Sequence, residues 1–98
     1  MAERGALRFI ILAATGQDIN DCTACQNCYV DEALAAEFDL SVWQVLAAAQ
    51  KNDELALTNR TIGILAEASP DSVSCSNDLA VVAIARALCF EAQRRGLR

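Results

Sequence analysis

Five cysteines stand at positions 22, 25, 28, 75 and 89 of this 98-residue chain, three of them within the seven residues CTACQNC. A C-x2-C-x2-C spacing lets one tight loop turn three thiolates toward three corners of a cubane iron–sulfur cluster. Zinc is more often gripped by two separated cysteine pairs or by cysteine with histidine, and the chain has no second separated pair and no histidine. A zinc site built from Cys22, Cys25, Cys28 and Cys75 stays open as a lesser reading. Chance clustering is the plainest alternative, since thiols ordinarily pack as small apolar groups. That role suits Cys89, beside the apolar face of the last helix, better than it suits the run. An odd cysteine count, with three crowded together, does not resemble the disulfide framework of a small secreted domain. Reduced thiols in a cytoplasmic setting are expected.

A four-iron cluster needs a fourth ligand, and counting locates it. In two-cluster ferredoxins the run is C-x2-C-x2-C-x3-C-P, and its fourth cysteine serves the other cluster. Forward from Cys22 that position is Glu32. Taking Cys75 as the fourth cysteine of a second run, its three partners would be Leu65, Ala68 and Asp71. All ligands of one cluster are therefore missing, and all ligands of the other, Cys22, Cys25, Cys28 and Cys75, are present. The expectation is one [4Fe-4S] cluster held by those four residues, with the second site filled by ordinary side chains.

The elements that must position these residues are helical. A hydrophobic content of 54% excludes a disordered chain, and only 5% aromatics with abundant alanine favours an all-α fold over a sheet. At this length, residues 1–98 are expected to form a single small domain with a modest core. A first helix is predicted over about 2–14, ended by Thr15 and Gly16. FIILAA, with Arg4 and Arg8 before it, has the order of a weak signal peptide, but an amphipathic or buried helix is the expected reading. Tyr29 to Phe38 reads as a short helix. Ser41 and Gln44 read as a capping box, opening a helix with Val42, Val45, Leu46 and Ala49 on one face. Asn52 or Asp53 caps the next stretch, where 54–57 and 61–66 form one bent helix or two short ones. Ser69 to Ser72 is irregular around Pro70. The last helix is capped by Asn77 or Asp78, buries Val81, Ile84, Ala85, Leu88 and Ala92, places Arg94 and Arg95 at the negative end of its dipole, and stops at Gly96. No segment shows the alternation of a strand, and none approaches the roughly 20 apolar residues that span a bilayer.

The chain resembles the C subunit of heterodisulfide reductase and related proteins with an α-helical two-cluster ferredoxin domain. The resemblance rests on GQDINDCTACQNC, DLSVWQVLAAAQKNDEL, TIGIL, CSNDLAVVAIARAL and EAQRRG, and covers nearly the whole chain. The cysteine motif is specific; the helical parts are similar mainly in pattern. Glu32 and Ala33 stand where the family has Cys-Pro, and Ser76 replaces the proline after Cys75. The resemblance implies an all-α, ferredoxin-like domain with two cluster-type loops between packed helices. It also implies an electron-transfer subunit, working between a flavin- or cluster-bearing subunit and a cysteine-rich catalytic subunit of an oxidoreductase complex.

Other functions fit less well. A net charge of -5 argues against nucleic acid, whose phosphates demand clustered Lys and Arg. Without histidine the commonest general acid/base is missing, so catalysis by this chain alone is not expected. Asp18, Asp21, Asp31 and Glu32 flank the cysteines and read as solvated charges. Trp43 reads as a core anchor, or as a partner surface if exposed. The competing function is a non-redox structural or interaction subunit in which a cluster or zinc only stabilises the fold.

Overall fold

The computed structural model describes residues 7–19, 29–74 and 79–97. Within them the chain is mostly helical, an all-α architecture with one minimal strand pair. The elements are α1 (Leu7–Thr15), β1 (Tyr29–Val30), α2 (Glu32–Ala35), α3 (Val42–Gln50), α4 (Leu55–Thr58), α5 (Thr61–Ala66), β2 (Val73–Ser74) and α6 (Val81–Arg94). A 3-10 turn, Pro70–Ser72, leads into β2, with Pro70 in its first position where no N–H is needed. No helix among the described residues is long and apolar enough to cross a membrane.

α6 is the spine, packing most extensively on α5 and then on α1. Its expected stripe is buried: Val81, Ile84, Ala85, Leu88 and Ala92 are all at most 4% exposed, and they share one core cluster with Leu7, Ile11, Val45, Leu46, Leu57 and Leu65. Cys89 packs against that core from the side, half-buried.

The helix ends follow from specific residues. Gly16 (φ 74°) closes α1, its N–H donating to the Leu12 carbonyl at 2.8 Å. Ser41 and Gln44 form the expected reciprocal capping box on α3. At the other end of α3, Asn52 adopts a left-handed conformation (φ 57°), and the N–H groups of Asn52 and Asp53 reach back to the Ala49 and Ala48 carbonyls in a Schellman motif. The same motif ends α6, where Gly96 (φ 76°) and Leu97 donate to Gln93 and Ala92.

The stretch from 54 to 66 is two helices rather than one, and Asn59 is the reason. It is 2% exposed; its amide nitrogen donates to the Leu55 carbonyl at 2.8 Å, and its amide oxygen accepts from the Ile62 N–H at 2.9 Å, closing α4 and opening α5. Asp39, distant in sequence, completes the start of α5: its carboxylate accepts from the N–H groups of Arg60 and Thr61 at 3.0 and 3.2 Å. The fully buried Thr61 hydroxyl lies 3.0 Å from the same carboxylate and 2.6 Å from the Leu40 carbonyl. The Arg60 N–H chiefly, with the Thr61 hydroxyl and N–H, holds the Asp39 carboxyl below the usual carboxylate range against a counteracting desolvation. A lowered carboxyl contributes stability that is present above its unfolded-state value and is lost as pH falls through its folded-state value. Asp39→Ala should therefore cost about 1 kcal/mol at neutral pH, the usual worth of such a cap. The gap between variant and parent in urea midpoint should close below about pH 4; a gap constant down to pH 2.5 would contradict the role.

Three expectations need correction. Tyr29 to Phe38 is not one helix: Tyr29 and Val30 are strand, and only Glu32–Ala35 is helical, with the Asp31 side chain capping it through the Ala33 N–H. The N-cap of α6 is Ala80, whose N–H donates to the Gln17 side-chain oxygen; Asn77 and Asp78 lie outside the described residues. Trp43 is not a core anchor. Standing about 100° round α3 from Val42, it is half-buried and lines a shallow recess with Leu40, Gln44, Ala47 and Leu55. Arg94 and Arg95 do more than complement a dipole. Both bond the buried Glu91, at 3.0 and 2.6 Å. Burial pushes the Glu91 carboxyl up, and the hydrogen bonds from Arg95 and Arg94 more than cancel it, so the group lies below the usual range.

Candidate functional site

Cys22, Cys25, Cys28 and Cys75 lie outside the described residues, as do Asp21 and Ser76. The chain positions on either side of them are described, and they are held firmly. Three contacts fix the approach to residue 20. Thr15 accepts from the Gln17 N–H at 3.0 Å, Arg8 grips Asp18 through two hydrogen bonds of 3.0 and 2.8 Å, and Gln50 donates to the Ile19 carbonyl at 2.6 Å. Ile19 itself is fully buried in the core. Asp18 is thus an ion-pair partner rather than a simple solvated charge.

Beyond residues 20–28, Tyr29 pairs with Ser74 in the antiparallel β1–β2 ladder; Val30 pairs with Val73, and the Asp31 N–H donates to the Ser72 carbonyl at 3.0 Å. Cys28 is the covalent neighbour of Tyr29, and Cys75 that of Ser74. Directly paired strand residues have Cα atoms about 4.5 to 5.5 Å apart. Beyond residues 75–78, Leu79 is buried, and Ala80 is tied to Gln17 by a 3.3 Å bond from its N–H to the side-chain oxygen. The two cysteine-bearing stretches, 20–28 and 75–78, are therefore bracketed by two cross-links: Gln17 with Ala80, and Tyr29 with Ser74. Segments separated by more than 40 residues in sequence are joined at both margins.

The positions counted as the second ligand set are all described. Leu65 is 1% exposed in the core, facing Val42, Leu46, Ile84 and Leu88 around a residual cavity of about 10 Å³. Ala68 is half-buried just beyond α5, whereas Glu32 and Asp71 are exposed on the first turn of α2 and in the 3-10 turn. One of these four side chains is in the core while two face solvent, so they do not form a common ligand set. Among the described residues no group of three or more His, Cys, Asp or Glu is placed to share a metal ion.

Sequence reasoning missed Gln17, Gln50, Asp39 and Asn59, whose bonds are long-range or bridge two helices. It also missed the β1–β2 pair, because two residues cannot display alternation. Comparison of the chain with protein-family models, with curated proteins and with solved structures finds no match.

Proposed function

We propose that the chain is an electron-transfer subunit carrying a single [4Fe-4S] cluster on Cys22, Cys25, Cys28 and Cys75, in a larger heterodisulfide-reductase-like oxidoreductase complex of the cytoplasm. The observation that carries this reading is the Tyr29–Ser74 pairing, which ties the covalent neighbours of Cys28 and Cys75 together across a short ladder. A crossover ligand 47 positions beyond the run needs its flanking chain beside that of Cys28, and the ladder supplies that proximity.

When bound, such a cluster supplies one-electron transfer between its oxidised and reduced states. The chain's own contribution is positional. The Gln17–Ala80 and Gln50–Ile19 bonds hold the approaches to both cysteine stretches in place. Ala80, at the N-cap of α6, has no side-chain acceptor to offer that helix's first turn. The partial positive charge of a helix N-terminus favours an anionic group in its neighbourhood. Among the described residues the buried carboxylate, Glu91, is already neutralised by Arg94 and Arg95, and the sequence has no histidine. The expected partners are protein subunits: a flavin- or cluster-bearing one and a cysteine-rich catalytic one.

Anaerobically purified protein should be brown, with a broad visible absorption that bleaches on dithionite. A brown protein whose absorption and paramagnetism do not respond to any reductant would favour a cluster that only stabilises the fold.

A further inference from the structure

The β1–β2 ladder fixes a phase as well as a proximity. The Asp31 N–H donates at 3.0 Å to the carbonyl of Ser72, the residue directly opposite, so that rung is a hydrogen-bonded one. Hydrogen-bonded and non-hydrogen-bonded rungs alternate along an antiparallel pair. Val30–Val73 is therefore non-hydrogen-bonded, and Tyr29–Ser74 hydrogen-bonded. Burial alternates with them. Val73 is 6% exposed and Val30 packs against the core, whereas Tyr29 is 60% exposed and Ser74 is exposed too. One rung further, the same register sets position 28 opposite position 75, and both positions are cysteine.

We infer that Cys28 and Cys75 are a redox-active pair, closing a cross-strand disulfide when the chain holds no metal and meets a disulfide oxidant such as oxidised glutathione. The phase makes theirs a non-hydrogen-bonded rung. Such rungs bring Cα atoms to about 4.5 Å with their side chains on one face, and a disulfide spans Cα separations of about 4.4–6.8 Å. Thiols three positions apart, Cys22 with Cys25 or Cys25 with Cys28, are the local competitors. They need a turn of their own, while the ladder already sets the chain next to Cys28 beside the chain next to Cys75. One cysteine thiolate attacks oxidised glutathione, forming a mixed disulfide and releasing one glutathione thiolate. The second cysteine thiolate attacks the mixed disulfide at the protein sulfur and releases the other. Two electrons pass from the cysteines to glutathione, and the two thiol protons end on the two glutathione thiols. The regulatory meaning rests on the proposed ligand set: the disulfide withholds two of its four thiolates, so oxidation and metal binding exclude one another.

The test uses the full chain, stripped of metal by a chelator under reductant and then exposed to oxidised glutathione. Remaining thiols are alkylated, and tryptic peptides are mapped by mass spectrometry without reduction. One linkage should dominate, between the peptide carrying residues 22–28 and the peptide carrying Cys75. It should form at the parental rate in the Cys22→Ser/Cys25→Ser double variant and at least tenfold more slowly in Cys28→Ser. In concentrated urea it should fall at least tenfold against linkages within 22–28, because the register is gone and a long loop closes less readily than a short one. A dominant linkage within 22–28, or to Cys89, in the folded chain would overturn the inference. So would a Cys28→Ser variant as fast as the parent, or a linkage yield that urea leaves unchanged. The linkage is read on metal-free protein, so it succeeds or fails independently of the iron content of anaerobically purified chain.

Discussion

Cys75→Ser should lose the cluster or leave a partial one, whereas Cys89→Ser should keep its full iron. The two cysteines differ in context. Cys75 follows the strand residue Ser74, whose partner Tyr29 follows Cys28. Cys89 lies within α6, half-buried against the core, where a thiol behaves as a small hydrophobe. Four thiolates complete a four-iron cluster, so removing one ligand should lower iron from about four to about three or fewer per chain. Circular dichroism of both variants separates ligand loss from misfolding. If Cys75→Ser retains all its iron, crossover ligation is wrong, whatever Cys89→Ser does.

Leu65→Ala should be severely destabilising. Leu65 stands where a second cysteine run would have its first ligand, yet it is 1% exposed and closes the core between α3 and α6. Truncating a fully buried leucine costs about 2–5 kcal/mol, since both apolar contact and cavity count. Small domains have only about 5–15 kcal/mol of stability in total. Leu65→Met, which conserves volume, should cost less than about 1.5 kcal/mol. Ala68→Ser, half-buried beyond the helix end, should stay within about 0.5 kcal/mol. Chemical denaturation of the three variants gives the order directly. A Leu65→Ala midpoint equal to that of the parent would mean that the side chain does not close the core as described.

The helical elements were legible in the sequence where a local rule determines them. The Ser41–Gln44 box, the stripe of α6 and the closing glycines at 16 and 96 each depend on residues within a turn or two, so spacing alone reveals them. Trp43 was misplaced because a tryptophan's size argues for the core while its register on α3 sets it beside the buried face. Asp39 could not be foreseen as the cap of α5, since 21 and 22 residues separate it from Arg60 and Thr61. The Tyr29–Ser74 ladder was equally hidden: it is too short for alternation, and its two strands lie far apart in the sequence. For the proposed site, spacing singles out four cysteines that lie outside the described residues, and the structure adds two cross-links between the segments that flank them.

The most direct measurement is the metal content of anaerobically purified chain, with electron paramagnetic resonance of the dithionite-reduced sample. About four iron and four acid-labile sulfide per chain, negligible zinc, and a reduced-state signal integrating to about one spin are expected of one [4Fe-4S] cluster. A colourless protein holding one zinc ion and no sulfide would contradict it.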